Sequence, residues 1–277
     1  MRADEVKAIL ESIGKRPTKR LGQHFMLDDY VLKRMVAAAD LRSTDTVLEI
    51  GPGLGNLTEE LLKTGAKVKA IEQDREFVKF LKRRFGERLD LVEADAVDAF
   101  LPEFDKVVSN LPYQISSPIT FKLLEAGFGL GIMMLQREFA ERMVAKPGSR
   151  DYGRLTVGVY YHATCEIMFD VSRSSFWPQP KVDSCVVKLV PRPPPFKVAD
   201  HDLFSLVTRA LFSYRRKKIM NSLKSDPTIS NMLSEKAKQS MVGLPYASER
   251  AEELTPEMIG ELSDAVHKLI GSSRRTA

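Results

Sequence analysis

Glu49-Ile50-Gly51-Pro52-Gly53-Leu54-Gly55-Asn56 places three glycines between an apolar run and a helical pattern, where backbone can approach a ligand at a strand's carboxyl end. A dinucleotide site requires G-x-G-x-x-G, so that a helix N-terminus can hold a pyrophosphate. Here the third glycine comes one residue early, at 55, Asn56 takes its place, and no lysine follows as it would in a P-loop. Glu72, 21 residues after Gly51, ends the next apolar run, where a carboxylate can accept bonds from both hydroxyls of a ribose. Asp95 ends the run after that and can accept from the exocyclic amine of an adenine. Either acid alone would pass for a solvated strand end; with the glycine loop they read as contacts to one ligand. An adenosine-bearing ligand without a phosphate fits this set best, and S-adenosylmethionine is the common one.

The second chemical signal is Asn110-Leu111-Pro112-Tyr113, directly after the apolar Lys106-Val107-Val108. It resembles the (D/N)-P-P-Y motif of amino-group methyltransferases. The residue types suit that chemistry. An adenine N6 is a poor nucleophile because its lone pair is delocalised into the ring. Two acceptors aimed at its two hydrogens, the Asn110 side-chain oxygen and the Leu111 carbonyl, draw the nitrogen toward tetrahedral geometry. Pro112 stiffens the turn and brings no competing donor. Tyr113 offers a face on which an extruded base can stack. No strong general base is needed when the methyl is already activated as a sulfonium, so positioning and electrostatics carry most of the catalysis.

The elements that must hold these residues can be read from hydrophobic periodicity. Thr46–Ile50, Lys67–Ile71, Leu89–Glu93, Lys106–Val108 and Ile132–Leu135 read as strands. Between them lie helical patterns: Leu57, Leu61 and Leu62 with Gly65 past the end; Phe77, Leu81 and Phe85 behind an Asp74 cap; a helix opened by Ser117-Pro118; and Arg137–Ala145. That alternation implies βαβ units and a mostly parallel sheet. Val157–Tyr161 fits either periodicity and is assigned to helix. Cys165–Val171 and Ser184–Val190 read as a closing pair of strands. Pro191-Arg192-Pro193-Pro194-Pro195 breaks regular structure, and residues 200–277 read as all helix. The expected domains are a basic N-terminal segment 1–27 contributing to the ligand site, an α/β domain 28–195 and a helical domain 196–277.

Composition narrows the class. The 277 residues are 43% hydrophobic and 29% charged, enough for a full core. A net charge of +5 and a pI of about 9.1 permit a polyanionic partner. No apolar run could cross a bilayer and the N-terminus lacks an export pattern, so a cytoplasmic protein is expected. Two cysteines and four scattered histidines argue against a disulfide framework and against a metal site.

With these motifs in place the sequence resembles the KsgA-type ribosomal RNA adenine N6,N6-dimethyltransferases over most of its length. Leu21-Gly22-Gln23-His24-Phe25-Met26 is similar to the family's L-G-Q-N-F-L segment, Glu49–Thr58 to its cofactor loop, Asn110–Tyr113 to its catalytic loop, and Phe176–Ser184 to its F-x-P-x-P-K-V-D-S signature. The resemblance implies an α/β, Rossmann-like class I methyltransferase fold with a mostly parallel sheet and a small C-terminal all-helical domain that helps dock on the ribosomal particle. It implies S-adenosylmethionine-dependent dimethylation of two adjacent adenines near the 3′ end of small-subunit ribosomal RNA, with a role in small-subunit biogenesis. Gln23, His24, Met26, Gly51, Gly53, Glu72, Asp95, Ala96 and Asn110 would contact the cofactor. Phe176 would face Tyr113 across the target base, on a loop that its prolines hold exposed. His24 and Met26 depart from the family's usual Asn and Leu.

Two acid-free basic stretches suit RNA: Lys15, Arg16, Lys19 and Arg20 near the N-terminus, and Leu203–Ser225 with Arg215, Arg216, Lys217 and Lys218. The expected partner is small-subunit ribosomal RNA, or a pre-30S-type particle, met by a monomer. Rival readings are a large-subunit RNA methyltransferase of the macrolide-resistance type, which shares the glycine loop and an N-I-P-Y tetrapeptide, and a non-catalytic assembly or RNA-binding factor. A nicotinamide dehydrogenase is disfavoured by the shifted glycine.

Overall fold

The computed structural model describes residues 1–16 and 24–274. They divide into two compact units, Met1–Glu141 with Ala163–Pro191, and Arg142–His162 with Arg192–Ala277.

In chain order the first unit contains α1 (Ala3–Ser12), β1 (Phe25–Met26), α2 (Asp29–Ala39), β2 (Thr46–Ile50), α3 (Asn56–Leu62), β3 (Lys67–Glu72), α4 (Arg75–Phe85), β4 (Leu89–Glu93), β5 (Lys106–Asn110), α5 (Ser116–Ala126) and β6 (Leu130–Gln136). It also contains most of α6 (Arg137–Met143), and β7 (Ala163–Val171), β8 (Phe176–Trp177) and β9 (Ser184–Pro191); α7 (Arg154–His162) belongs to the second unit. Seven strands form one sheet in the order β4-β3-β2-β5-β6-β9-β7. The five strands from β4 to β6 run parallel, and β9 lies antiparallel between β6 and β7. The expected mostly parallel α/β sheet is therefore present, with the closing pair at one edge.

The chain winds from β2 outward through β3 and β4, then returns to the other side of β2 for β5 and β6. The carboxyl ends of β2 and β5 thus flank the point where strand order reverses, the place where open α/β sheets bind ligands. A side chain stitches this point: Ser109 Oγ donates to the Ile50 carbonyl at 2.7 Å. The inner strands β2, β5 and β6 are near-continuous buried apolar runs, whereas β7 at the edge alternates. Val47, Val68, Val108, Ile132 and Met134 are all buried with Met35, Leu61 and Leu81 from the helices. Asp74 caps α4 as expected, accepting from the Glu76 N–H at 3.0 Å, and Phe77, Val78, Leu81 and Phe85 form the buried stripe of that helix.

The second unit is helical: α7, then α8 (His201–Ser213), α9 (Ile219–Ser225), α10 (Pro227–Met232), α11 (Glu235–Ser240) and α12 (Pro256–Arg274). Residues 157–161 are helical, as assigned from sequence. The sequence boundary, however, left residues 142–162 with the sheet, whereas they belong to the second unit. The physical reason is apolar partnership: Tyr152, Val157 and Tyr161 are buried in one cluster with Phe204, Val207, Leu211, Leu262 and Val266. No helix among the described residues is long and apolar enough to cross a membrane.

Candidate active site

Residues from separate segments of the chain converge on one pocket at the β2/β5 switch point. Its walls include His24, Met26, Gly51, Gly53, Glu72, Asp95, Ala96, Asn110, Leu111, Pro112 and Tyr113. The sequence separates these residues by up to 89 positions, from 24 to 113; the crossovers of the parallel sheet bring them together.

The glycine loop is shaped by its neighbours. Gly51 adopts φ +70°, and a Cβ there would lie 3.0 Å from the ring of Pro112, so the loop and the N-L-P-Y turn touch directly. Gly55 adopts φ +82°, and a Cβ there would lie 2.5 Å from Phe85. The early third glycine therefore serves helix–loop packing rather than a phosphate.

Glu72 is buried, and its carboxylate accepts from the Gly53 N–H at 3.1 Å and the Asp74 N–H at 2.9 Å. Burial pushes its titration upward, against the pull of those backbone donors. A carboxylate has acceptor capacity beyond these bonds for a ribose hydroxyl. Asp95 is exposed at the pocket, with Oδ1 accepting from the Val97 N–H at 2.9 Å. Asn110 ends β5, and Leu111 is tied down by its N–H donating to the Met134 carbonyl at 3.2 Å. Tyr113 follows in a short 3-10 turn, and its hydroxyl is 2.6 Å from Ser184 Oγ, a side chain with no exposure. Burial pushes the Tyr113 hydroxyl above its ordinary titration range.

His24 closes the pocket from another direction. Its Nδ1 lies 2.7 Å from the Pro178 carbonyl; that oxygen can only accept, so Nδ1 carries the proton. The His24 ring lies against Tyr113, centroids 5.7 Å apart and planes 31° from parallel.

Phe176 departs from expectation. The proline-framed loop was expected to hold it exposed, yet it is only 2% exposed. β8 pairs antiparallel with β1, setting Met26 opposite Phe176, and the ring joins the buried cluster of Met26, Val171 and Val186. The ring facing Tyr113 is that of His24. Gln23, Lys19 and Arg20 lie outside the described residues. Lys15 is ion-paired to Asp74 at 2.8 Å, and Arg16 is exposed.

In the second unit Arg216, Lys217 and Lys218 are exposed. Arg215 is not the free RNA contact the sequence suggested: it donates to Glu252 at 2.8 Å, to the Ser149 carbonyl at 2.8 Å and to the Arg150 carbonyl. Its neighbours needed a donor fork to hold the 149–150 turn, and a basic run does not show which member is so used.

Two pocket groups, and a serine bonded to Tyr113, escaped the sequence reading as individual residues. Glu49 is 2% exposed and accepts from the Thr58 hydroxyl at 2.6 Å; burial, opposed by that bond and reinforced by Glu72, pushes its carboxyl up to about 8. An acid inside the apolar run Val47-Leu48-Glu49-Ile50 was the available signal. Asn56 donates to the Met26 carbonyl at 2.7 Å, while its own Oδ1 is buried without a partner. Ser184 gave no signal, since nothing local marks a serine that will meet a tyrosine 71 positions away.

The set fits an adenosine-bearing methyl donor. A positive-φ glycine cradle, a buried carboxylate at a strand end, a second, exposed acid and a residue with an orphaned amide oxygen all line the pocket. Among the described residues no group of three or more His, Cys, Asp or Glu is placed to hold a metal.

Comparison with known proteins agrees with this geometry. Residues 14–248 match the family described as ribosomal RNA adenine dimethylase. The chain is 47% identical over 249 residues to "Probable ribosomal RNA small subunit methyltransferase A" of Methanosarcina acetivorans, covering 89% of this chain and 93% of the relative. Among solved structures it is similar to a dimethyladenosine transferase from Plasmodium falciparum, with TM-score 0.73 and 32% identity over 90% of this chain and 98% of that one. It is also similar to the 23S rRNA methyltransferase ErmE, with TM-score 0.61 and 29% identity over 88% of this chain and 99% of that one.

Proposed function

The chain belongs to the ribosomal RNA adenine dimethylase family, and from that premise we propose that it dimethylates N6 of two adjacent adenines near the 3′ end of small-subunit ribosomal RNA, with S-adenosylmethionine as methyl donor. The observation that carries the reading is the convergence of the glycine loop, Glu72, Asp95 and Asn110–Tyr113 on one pocket. Identity to the small-subunit relative, at 47%, exceeds that to the large-subunit enzyme, at 29%, which favours the small-subunit substrate.

When bound, the donor supplies a methyl group already activated on a sulfonium. The chain's residues do the rest. Glu72 holds the ribose and Asp95 the adenine of the donor. His24 and Met26 cover it, and Gly51, Gly53 and Ala96 let backbone approach it. The Asn110 side-chain oxygen and the Leu111 carbonyl accept the two N6 hydrogens of the target and aim its lone pair. Tyr113 stacks on the target base, its ring angle set by Ser184. Phe176 supports the same base from beneath by holding β1 and β8 in place, and would stack on it only by leaving its buried seat. Lys15, Arg16, Arg216, Lys217 and Lys218 are proposed phosphate contacts on a ribosomal RNA or pre-30S-type particle, approached by a cytoplasmic monomer.

The test is to map dimethyladenosine on small-subunit RNA after reaction with the protein and with Asn110→Ala. Losing one preorganised polar partner of a reacting centre lowers turnover by about 10²–10³. The expected result is two dimethylated adenines with the unaltered chain and a loss of that size in the variant. Absence of dimethyladenosine with the unaltered chain overturns the assignment.

A further inference from the structure

We propose that the groove between α1 and Trp177 is a second RNA subsite, taking an unstacked nucleotide that flanks the target adenine, with its base on the Trp177 indole and its phosphate near Lys7 and Arg16. The inference rests on the RNA-modifying reading above and adds a recognition element to it.

The groove is lined by Lys7, Leu10, Glu11, Lys15, Arg16 and Trp177. Trp177 is half-buried and packs against the buried cluster of Val6, Leu10, Phe25, Leu54 and Phe77. One edge of the indole is thus anchored while the groove side stays open. Lys7 Nζ lies over the ring, 5.6 Å from its centroid, and its flexible stem would carry the cation aside to the phosphate of a base stacked there. Lys7 and Arg16 are exposed. Lys7 also meets Asp4 at 3.7 Å, a surface contact that a phosphate can displace. Lys15 is held by Asp74, and Glu11 is the one acid among the described lining residues.

The groove also borders the reaction. β1 and β8 set Phe25 directly opposite Trp177, and Phe25 lines the active pocket. The next residue after Trp177, Pro178, holds His24 through its carbonyl at 2.7 Å. An enzyme that modifies a base must take it out of its stack, which leaves the neighbouring bases with bare faces. An aromatic platform beside a cationic groove is how proteins accept such bases without reading their identity. A single indole among lysines and an arginine suits a nucleotide better than a peptide or a lipid surface.

Trp177 is the chain's single tryptophan, so its emission reports this groove alone. The full chain is titrated with a protein-free transcript of the 3′ region of small-subunit RNA, with binding followed by anisotropy of the labelled RNA and methyl transfer measured on the same samples. The expected result is quenching of Trp177 emission that saturates with binding. Replacing the flanking nucleotides by abasic residues should abolish the quench and weaken binding about tenfold, as loss of one stacked base does. Trp177→Leu, which keeps an apolar side chain for packing, should weaken binding similarly with S-adenosylmethionine binding retained; Lys7→Glu should weaken it with the quench amplitude at saturation retained. Binding and methylation without any change in Trp177 emission, or a quench that survives abasic flanks, overturns the subsite and leaves the methyltransferase reading intact. A transcript that does not bind overturns the subsite; the methyltransferase reading falls only if small-subunit particles are not methylated either.

Discussion

Ser184 and Tyr113 form one unit inside the site, and their pairing makes a prediction about both. The two hydroxyls are 2.6 Å apart, with Ser184 fully buried. Ser184→Ala leaves the half-buried phenol without its partner, and an unpaired buried polar group costs about 1–3 kcal/mol. Tyr113→Phe leaves the serine in the same position. Removing both hydroxyls at once leaves no orphan, so the double variant should be more stable than the sum of the singles predicts, as read from chemical denaturation of all four proteins. Turnover should fall in each single variant, because the ring that supports the target base loses its fixed angle. Glu49 makes a separate prediction. Burial pushes its carboxyl up to about 8 from an ordinary 4.5. The folded chain therefore holds a proton between those two values that the unfolded chain has released. The resulting stability is fully present below the lower value and is lost as pH rises through the upper one. Glu49→Gln keeps an acceptor for Thr58 and cannot ionise. Its melting temperature should fall less than that of the unaltered chain as pH is raised from about 6 to about 8.5, and equal falls would refute the assignment.

The parts of the fold that the sequence disclosed are those whose burial is periodic or continuous. The buried strands announced themselves as apolar runs ended by glycine or acid, and α4 by its Asp74 cap and the stripe of Phe77, Leu81 and Phe85. The pocket was legible for the same reason, since Glu49–Asn56, Glu72, Asp95 and Asn110–Tyr113 all sit at strand ends that local pattern locates. What escaped was set by tertiary partners. β1 and β8 have two residues each, too few to show alternation, so the burial of Phe176 was hidden. Residues 142–162 have an apolar face, but a face does not say which core it enters. Gly55 illustrates how an element can fix a residue that a motif seems to own. Its φ of +82° and the 2.5 Å approach of Phe85 mean that α4 dictates glycine there. Gly55→Ala should destabilise the first unit by about 2–4 kcal/mol, combining left-handed strain with overpacking against Phe85 and Leu81. The denaturant midpoint measures this; an unchanged midpoint would show that α4 can retreat at no cost.

At the scale of the molecule, a net charge of +5 is a small excess, and what matters is which cations are available to a phosphate. In the second unit the run 215–218 looks uniform in sequence and is not. Arg215 spends its guanidinium on Glu252 and on the carbonyls of Ser149 and Arg150. Lys217 reaches Ser225 Oγ at 2.8 Å and lies 4.7 Å from the Tyr214 ring, so it is partly engaged. Arg216 and Lys218 are exposed. Two variants separate the roles. Arg215→Ala should lower the melting temperature through loss of the tie to the 149–150 turn; because the pair with Glu252 is about a third exposed, solvent screening keeps that loss modest. Arg216→Glu with Lys218→Glu should leave the melting temperature in place and weaken binding to small-subunit RNA. Each phosphate contact contributes about 0.7–0.9 to the slope of log affinity against log salt. The double reversal should therefore flatten that slope by about 1.4–1.8 between about 50 and 200 mM salt. A slope identical to that of the unaltered chain would place the RNA elsewhere than on this face, and a shared fall in melting temperature would mean that Arg216 and Lys218, like Arg215, hold the fold.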